Sequence, residues 1–553
     1  MRGGALPGAS VVGAQEETQP WPVAHGLLLL GVVALGVALR LSCAVRPLWI
    51  DEAWVLNSVH SPTLGGMFAY PEWLQTTPPG LLLLLRALAQ AWPQAIETLR
   101  WPFLLCSVVT LLLFVRLASH FLGRGFLCLA CATFALSPNL IWNATELKQY
   151  SGDALAMISS LLLGAAYVRH PSRAALARWC VLNLAWVPLS FSAVFSLPAM
   201  VVAGALLGDG PTWHARLRAV LPHAVSAALA IGLLYAIVVR PNVGSAGMAS
   251  FWAEGFHATA GESMLFYLRR SWSVMFGFLD FKLASVPVAA ALVGGCAIGM
   301  LALWRAPGWS VQQRLAWMTL LAAPVAGTWL ANGLGSYPLS EYRMVAFLAP
   351  CLILLLTLGL EQLARMICAF GAVPTRQHCV QGLGLATALV MVVNLASMMN
   401  FPLWGTARNG GVRLWRSGTE IQPVLAYLRA VDTLRRPVFV HAYYQQLFKL
   451  YTRAEPLRAP VTFAQSGWPC CVPGRPWRGY APDPDEVDQE VARLIERNGA
   501  QPFYVLLYAR PTWPSRDSVL AYETRFAARH CALPWRMDTT RVALVKVECA
   551  VTR

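Results

Sequence analysis

The sequence predicts an α-helical polytopic protein that crosses a membrane about eleven times and ends in a small extracytoplasmic α/β domain. Of its 553 residues, 57% are apolar and 13% are charged, against about 25% charged residues in ordinary soluble domains. Long apolar runs alternate with short basic loops, and from about Asn400 the chain becomes polar. We therefore expect a disordered segment at 1–20, a membrane domain at 21–399 and an α/β domain at 400–553.

The basic residues predict an orientation in the membrane. The formal net charge is +16 at pH 7, and the Lys and Arg residues lie mostly in loops between apolar runs. Such residues concentrate on the cytoplasmic side, so the pattern indicates topology and argues against nucleic-acid binding. Asp51 and the C-terminal domain then lie outside. There, Cys470, Cys471, Cys531 and Cys549 could form disulfides.

The apolar runs define the spans in order. A shorter apolar segment, Gly80 to Trp92, carries Arg86 and is predicted to be an interfacial or re-entrant helix. The predicted spans are His25–Val45, Thr98–Leu117, Gly125–Trp142, Ala154–Val168, Trp179–Leu189, Phe191–Leu207, Ala219–Val239, Pro287–Leu303, Leu315–Leu330, Val345–Leu363 and Gly382–Met398.

Helices and strands alternate in the polar C-terminal part, which predicts a small α/β domain. The predicted helices are Ile421–Val431, Tyr443–Tyr451, Asp485–Asn498 and Ser515–His530, and the predicted strands are Pro437–His441, Phe503–Tyr508 and Arg541–Glu548. A stretch rich in Pro and Gly, Ala459–Pro484, is predicted to be a loop.

Four polar clusters are predicted to meet at the outer membrane face. They are Asp51-Glu52, Gln75-Thr76-Thr77-Pro78-Pro79 with Arg100, Glu146 to Asp153, and Tyr337 to Arg343. Carboxylates at such an interface are costly unless they serve a function, and one of them could act as a general base. Arg100, Lys148 and Arg343 could hold a phosphate, because Arg offers a bidentate fork and Lys a point charge. The clusters favour transfer of a group from a lipid phosphate.

The cluster from Glu146 to Asp153 is predicted to be bent. In a continuous helix, Glu146, Tyr150 and Asp153 would share one face and Lys148 would point away from it. A bend would let all four side chains line a cleft.

Each cluster also has a simpler interpretation. Asp51-Glu52 could be an exposed turn that caps a helix, Arg100 an interfacial anchor, Glu146 and Lys148 an exposed ion pair, Arg343 a topogenic charge, and Thr77-Pro78-Pro79 only a turn. The order of the clusters and their common side of the membrane favour the chemical interpretation.

The order of these features resembles that of the membrane glycosyltransferases of the GT-C superfamily, in the branch with protein O-mannosyltransferases, the lipid A aminoarabinose transferase and related bacterial enzymes. The resemblance covers about residues 25–400. It rests on Asp51-Glu52, Thr77-Pro78-Pro79 where the family often has His/Lys-Pro-Pro, Arg100, Glu146-x-Lys148-x-Tyr150, and Tyr337-Pro338 followed by Arg343. The C-terminal part resembles the extracytoplasmic α/β domain of some bacterial members.

The resemblance implies an inverting transfer of a sugar from a polyprenyl-phosphate donor, at the outer face of a bacterial inner or plasma membrane. It implies that Asp51 is the catalytic base and that Glu52 assists in positioning substrate. The residues implied for substrate binding are Arg100, Glu146, Lys148, Gln149, Tyr150, Asp153, Tyr337 and Arg343. The oligosaccharyltransferase branch needs a divalent metal, but its acidic motif is not evident here, so no obligatory metal or other cofactor is expected.

The expected partners are the lipid donor, the bilayer and an acceptor that could be a protein, a lipid or a polysaccharide. Two other functions stay open. A lipid-linked sugar transporter or flippase would need charged residues deep inside several spans. A non-catalytic scaffold would use its C-terminal domain to bind envelope glycans.

Overall fold

The computed structural model describes residues 23–549 apart from 45–47, 70–75, 93–95, 209, 244–251, 257–262, 280–285, most of 371–420, 432–433, 465–483, 509–517 and 540–541. The described residues form a large helical part followed by a small mixed sheet with flanking helices. A polytopic helical protein with a C-terminal α/β domain was the expectation, and this fold class is confirmed.

The first part contains seventeen α-helices among the described residues. They are α1 (Val23–Cys43), α2 (Ile50–Val59), α3 (Leu64–Met67), α4 (Pro79–Ala91), α5 (Trp101–Ser119), α6 (Arg124–Ala135), α7 (Pro138–Asn143), α8 (Tyr150–Arg169), α9 (Arg173–Trp186), α10 (Leu197–Leu207), α11 (Trp213–Leu234), α12 (Arg240–Val243), α13 (Met264–Met275), α14 (Val286–Trp304), α15 (Val311–Gly333), α16 (Tyr342–Val345) and α17 (Ala349–Phe370).

Seven helical stretches among the described residues are long and apolar enough to cross a membrane. They are α1, α5, α8, α11, α14, α15 and the stretch of α16 and α17. These seven coincide with seven of the predicted spans. Three further apolar stretches are shorter, namely α4, α6 and Phe191–Leu207. The predicted span Gly382–Met398 falls largely outside the described residues.

The predicted continuous span Gly125–Trp142 is wrong, because the helix stops at Ala135 and restarts at Pro138. Proline has no N–H group to donate to the preceding turn, so the chain begins a new helix there. The carbonyl groups released at the end of α6 accept hydrogen bonds from Arg40 of α1, at 3.3 Å for Phe134 and 2.7 Å for Ala135. The one charge in the first apolar run thus stabilises a helix end.

The predicted start of the span Trp179–Leu189 is also wrong. The helix α9 begins at Arg173 and not at Trp179, because the Ser172 hydroxyl accepts a hydrogen bond from the Ala175 amide at 3.1 Å and caps it. The helix ends at Trp186, before the serine-rich turn that starts at Ser190.

The C-terminal part is a mixed five-stranded sheet with strand order β2-β1-β3-β5-β4. Its strands are β1 (Val438–Val440), β2 (Val461–Phe463), β3 (Phe503–Tyr508), β4 (Cys531–Asp538) and β5 (Val542–Cys549), and its helices are α18 (Gln422–Val431), α19 (Gln445–Tyr451), α20 (Pro484–Asn498) and α21 (Ser518–Ala528). β1 pairs in parallel with β2 and β3, whereas β5 is antiparallel to β3 and β4.

Three predicted strands and four predicted helices of this part are confirmed within a few residues, but β2 and β4 were missed. β2 has only three residues and lies in a stretch that composition assigned to a loop. β4 contains Pro534, which argues against a strand. The structure accommodates it because the β4–β5 pairing shifts register between Ala532 and Trp535. A disulfide joins Cys531 to Cys549, while Cys470 and Cys471 lie outside the described residues.

The buried apolar residues form two separate cores. One core fills the membrane helices, from α1 through α17. The second core fills the α/β part, but it also includes the buried residues of α2 and α4. The helix that carries Asp51 is therefore packed together with residues more than 380 positions later in the chain, such as Phe439 and Leu447.

Candidate active site

The first turn of α2 places Asp51 against Arg343 of α16. Arg343 Nη1 lies 2.5 Å from Asp51 Oδ2, and its Nε lies 2.5 Å from the Glu341 carboxylate. The guanidinium also stands over the Trp49 ring, 5.5 Å from its centroid. The side chains of Asp51 and Arg343 are 19% and 15% exposed, so this pair is only partly buried.

The neighbouring carboxylate, Glu52, is fully buried and faces the other way. Arg100 binds it with two hydrogen bonds, from Nε at 3.0 Å and from Nη2 at 2.6 Å. The backbone amides of Trp49 and Leu147 donate to the same carboxylate at 3.0 and 3.2 Å. Glu52 therefore joins the start of α2, the turn before α5 and the segment before α8. Paired and hydrogen-bonded in this way, the buried charge is tolerated.

Lys148 lies in the non-helical segment before α8, which confirms the predicted bend. The side chain is 6% exposed. Burial lowers its pKa to about 8, the nearby carboxylates of Asp51, Glu146 and Glu52 oppose that shift, and Arg343 adds to it. Lys148 therefore shares one electrostatic environment with Asp51 and Arg343.

The next predicted residues lie deeper. Gln149 is 6% exposed, and its Oε1 has no hydrogen-bond partner among the described atoms. Tyr150 lines a cavity of about 20 Å³, room for about one water molecule. The cavity is also lined by Arg40, Ser107, Thr110, Asn143 and Ser151. Asp153 accepts a 2.5 Å hydrogen bond from the Ser190 hydroxyl and is also bonded by Ser192.

Tyr337 fixes the segment that leads to Arg343. Its hydroxyl donates to the Met344 carbonyl at 2.5 Å, and its ring packs edge-on against Phe195 and Phe347. Burial raises the pKa of Tyr337 well above its usual range, and the charge of Asp153 adds to this shift. The hydroxyl therefore stays a neutral donor.

Thr77 is fully buried at the start of α4. Pro79 occupies the first turn of that helix, and the Gly80 amide donates to the Pro188 carbonyl at 2.7 Å. Gln75 lies outside the described residues.

The predicted site residues thus divide into two groups. Asp51, Lys148 and Arg343 meet in one place, with Glu146 within electrostatic range of Lys148 and Arg343. Glu52 and Arg100 instead form a fully buried ion pair with each other.

Sequence reasoning left out Trp49, Glu341 and Arg40 as site residues. Trp49 and Glu341 stand beside predicted residues, and Arg40 is a charge within an apolar run, which by itself marks a residue for attention. Their partners could not be identified without the fold.

The fold and the site define a polytopic membrane protein with a carboxylate and two cations clustered where its helical and α/β parts meet. No family model matches the sequence, and no curated protein matches it. The chain is similar to a crystal structure of ArnT from Cupriavidus metallidurans in the apo state, with 15% identity, a TM-score of 0.47, and coverage of 95% of this chain and 98% of that chain. A structure of the same protein bound to undecaprenyl phosphate gives 14% identity, a TM-score of 0.46 and the same coverage.

Proposed function

We propose that this protein is an integral-membrane glycosyltransferase that moves a sugar from a polyprenyl-phosphate donor to an acceptor hydroxyl on the extracytoplasmic side of the membrane. The observation that carries the proposal is the partly open pair of Asp51 and Arg343, with Lys148 in the same electrostatic environment. A carboxylate beside two cations supplies a proton acceptor and a phosphate site together. The donor class comes from the sequence resemblance.

The reaction is a single displacement with inversion. Asp51 takes the proton from the acceptor hydroxyl as its oxygen bonds to the anomeric carbon of the sugar. The bond from that carbon to the phosphate oxygen breaks, and its electron pair leaves with the carrier phosphate. Arg343 and Lys148 stabilise the negative charge on the departing phosphate. The two named contacts of Arg343 use its Nη1 and Nε atoms, and a guanidinium has five N–H donors, so others can face a phosphate.

The buried pair of Glu52 and Arg100 acts by positioning. The Glu52 carboxylate accepts hydrogen bonds from the Trp49 and Leu147 amides, which lie close to Asp51 and Lys148 in the chain, so it sets the spacing of Asp51 and Lys148. We assign Glu146, Gln149, Tyr150, Asp153 and Tyr337 to substrate binding. The Gln149 Oε1 atom, which has no hydrogen-bond partner among the described atoms, is an acceptor for a sugar hydroxyl.

In this proposal, residues 21–399 form the membrane domain that contains the active site, which faces the extracytoplasmic side of a bacterial inner membrane. The domain at 400–553 lies on the same side. The protein's partners there are the lipid donor and a protein, lipid or polysaccharide acceptor.

Purified protein in lipid nanodiscs tests the proposal directly. It is incubated with a panel of polyprenyl-phosphate sugars and an envelope extract as acceptor source, and release of the carrier phosphate is measured. We expect release with at least one donor and a loss of about 10- to 100-fold in undecaprenyl-phosphate affinity in Arg343→Ala, as for a lost charge-assisted hydrogen bond. Arg529→Ala, in an exposed ion pair of the α/β domain, is the control.

No release with any donor, or unchanged affinity in Arg343→Ala, would overturn the proposal. Movement of intact lipid-linked sugar across the membrane without release would favour a flippase, and sugar binding without release would favour a scaffold.

A further inference from the structure

The α2 helix has its apolar contacts in α4 and in the α/β part of the chain. Its buried residues, including Ala53, Val55 and Leu56, belong to the same core as the sheet. Arg343, the partner of Asp51, is instead followed by residues such as Val345 that belong to the membrane core. The proposed catalytic pair therefore joins two separately packed parts of the molecule.

Polar contacts fix α2 on the α/β part as well. Asn57 Nδ2 donates to both the backbone carbonyl and the Oε1 atom of Gln446, each at 2.8 Å. At the end of the helix, Arg453 donates to the His60 carbonyl at 2.8 Å. Asn57 is 9% exposed, so its contact with Gln446 is shielded from water and has a defined geometry.

A second arginine holds the same helix end. Arg86 of α4 donates to the Val59 carbonyl, the last of the helix, at 3.3 Å and to the Ser61 carbonyl at 2.8 Å. The carbonyl groups at a helix C-terminus carry a partial negative charge, which both arginines neutralise. The end of α2 remote from Asp51 is thus fixed against movement along the helix axis.

The contact uses the carboxyl edge of the parallel strands. Gln445 donates to the Ala464 carbonyl, immediately after β2, at 2.7 Å. Gln446, the next residue, receives Asn57. In open α/β sheets this edge usually binds ligands. In this protein the edge of the sheet carries α19, and α2 of the same chain packs against α19.

We propose that the α/β domain is the device that positions Asp51, and that Asn57 and Gln446 are its positioning residues. Asp51 and Asn57 lie six residues apart on one helix, about 9 Å along its axis. A displacement at Asn57 is therefore transmitted to Asp51. The effect of this displacement on catalysis rests on the proposed function, whereas the mechanical link between Asn57 and Asp51 does not.

The experiment uses the full chain and three variants. Asn57→Asp removes both donated hydrogen bonds and places a carboxylate against two carbonyl oxygens. Gln446→Ala removes one of the two acceptors, and Gln446→Glu keeps an acceptor oxygen in the same place. Gln489→Ala, at an exposed position of α20, is the matched control.

Hydrogen exchange measures the position of α2 without any substrate. We expect the amides of residues 50–59 to exchange at least about fivefold faster in Gln446→Ala, as for loss of one net hydrogen bond, and faster still in Asn57→Asp. Exchange in α8 should stay unchanged. Gln446→Glu and Gln489→Ala should match the native protein. Native exchange of α2 in Gln446→Ala would overturn the proposal, and this variant decides the question if Asn57→Asp does not fold.

Transfer kinetics test the catalytic part. With a donor that supports release, we expect kcat to fall by at least about tenfold in Gln446→Ala, since a displacement of about 1 Å can cost about 100-fold, with KM within twofold. Gln446→Glu should restore kcat. A change in KM alone would overturn a positioning role. If the native protein transferred no sugar, faster exchange in α2 would still support the coupling, while the proposed function would fail separately.

Discussion

Arg343 and Asp51 form an ion pair between Nη1 and Oδ2 at 2.5 Å although 292 residues separate them along the chain. The pair lies where the two cores meet, and it remains partly exposed. The pair of Glu52 and Arg100 is instead fully buried, where loss of either partner would leave the other charge unpaired in the interior. The exposed geometry of Asp51 and Arg343 is better suited to exchange with a ligand.

Asp51→Asn should abolish most transfer and leave the fold intact. The amide keeps the shape of the side chain but cannot take a proton at neutral pH, and a general base contributes about 100- to 10,000-fold in rate. Carrier release by the purified variant measures the loss. Asp488→Asn, in an exposed pair with Arg529, should retain native activity. Full activity in Asp51→Asn, at equal protein levels, would remove Asp51 as the base.

Arg100→Leu should lower the free energy of unfolding by about 3–5 kcal/mol, because it leaves the fully buried Glu52 carboxylate without its cation. The double variant Glu52→Leu with Arg100→Leu should recover part of the loss. Thermal unfolding in detergent measures both. Arg529→Leu, which breaks an exposed pair, should change the midpoint little.

If Arg100→Leu unfolded at the native temperature and lost phosphate binding instead, Arg100 would be a substrate contact. The same double variant separates the two roles, because it restores packing without restoring a cation.

Binding of undecaprenyl phosphate should weaken as the pH rises through about 8. Burial lowers the pKa of Lys148 to about 8, so the ammonium loses its charge there, and affinity should fall roughly tenfold by about pH 9. Lys148→Arg should flatten this profile, since a guanidinium stays charged. Affinity measured from pH 7 to 9 tests it. An identical profile in both proteins would contradict the assignment.

The lowered pKa of Lys148 also predicts how the free energy of unfolding changes with pH. Its folded-state pKa lies below the unfolded value of 10.5, so the unfolded chain binds more protons between about pH 8 and pH 10.5. The contribution of Lys148 to stability therefore rises across this window. It is most unfavourable below about pH 8, where both states are protonated.

The disulfide between Cys531 and Cys549 should form in the native membrane and stabilise the α/β part. A sequence separation of 18 residues corresponds to about 3 kcal/mol of loop entropy in the unfolded chain. Cys531→Ser should therefore lower the unfolding midpoint, whereas Cys106→Ser, at a half-buried free thiol, should lower it less. Labelling of both thiols in native membranes without reductant would contradict an oxidising compartment for this domain.

The sequence predicted the meeting of Asp51, Lys148 and Arg343 because all three follow apolar runs whose ends are predicted to lie on the same side of the membrane. Hydropathy therefore located them without any knowledge of packing. It could not predict that Arg100 would turn inward to Glu52, since this depends on where α2 and α5 begin. Hydropathy could not predict the contact between Asn57 and Gln446 either. Neither residue belongs to a local pattern, and 389 residues separate them.

The shared core of α2 and the sheet also affects the order of biogenesis. Residues 50–59 leave the ribosome about 380 residues before β1, the first strand that buries them. At about 5–20 residues per second, this delay lasts roughly 20–75 s. During this time the apolar side of α2 has α4 as a partner, but the sheet and α19, which complete the core, are not yet made. The core around α2 is therefore completed from the carboxyl end of the chain.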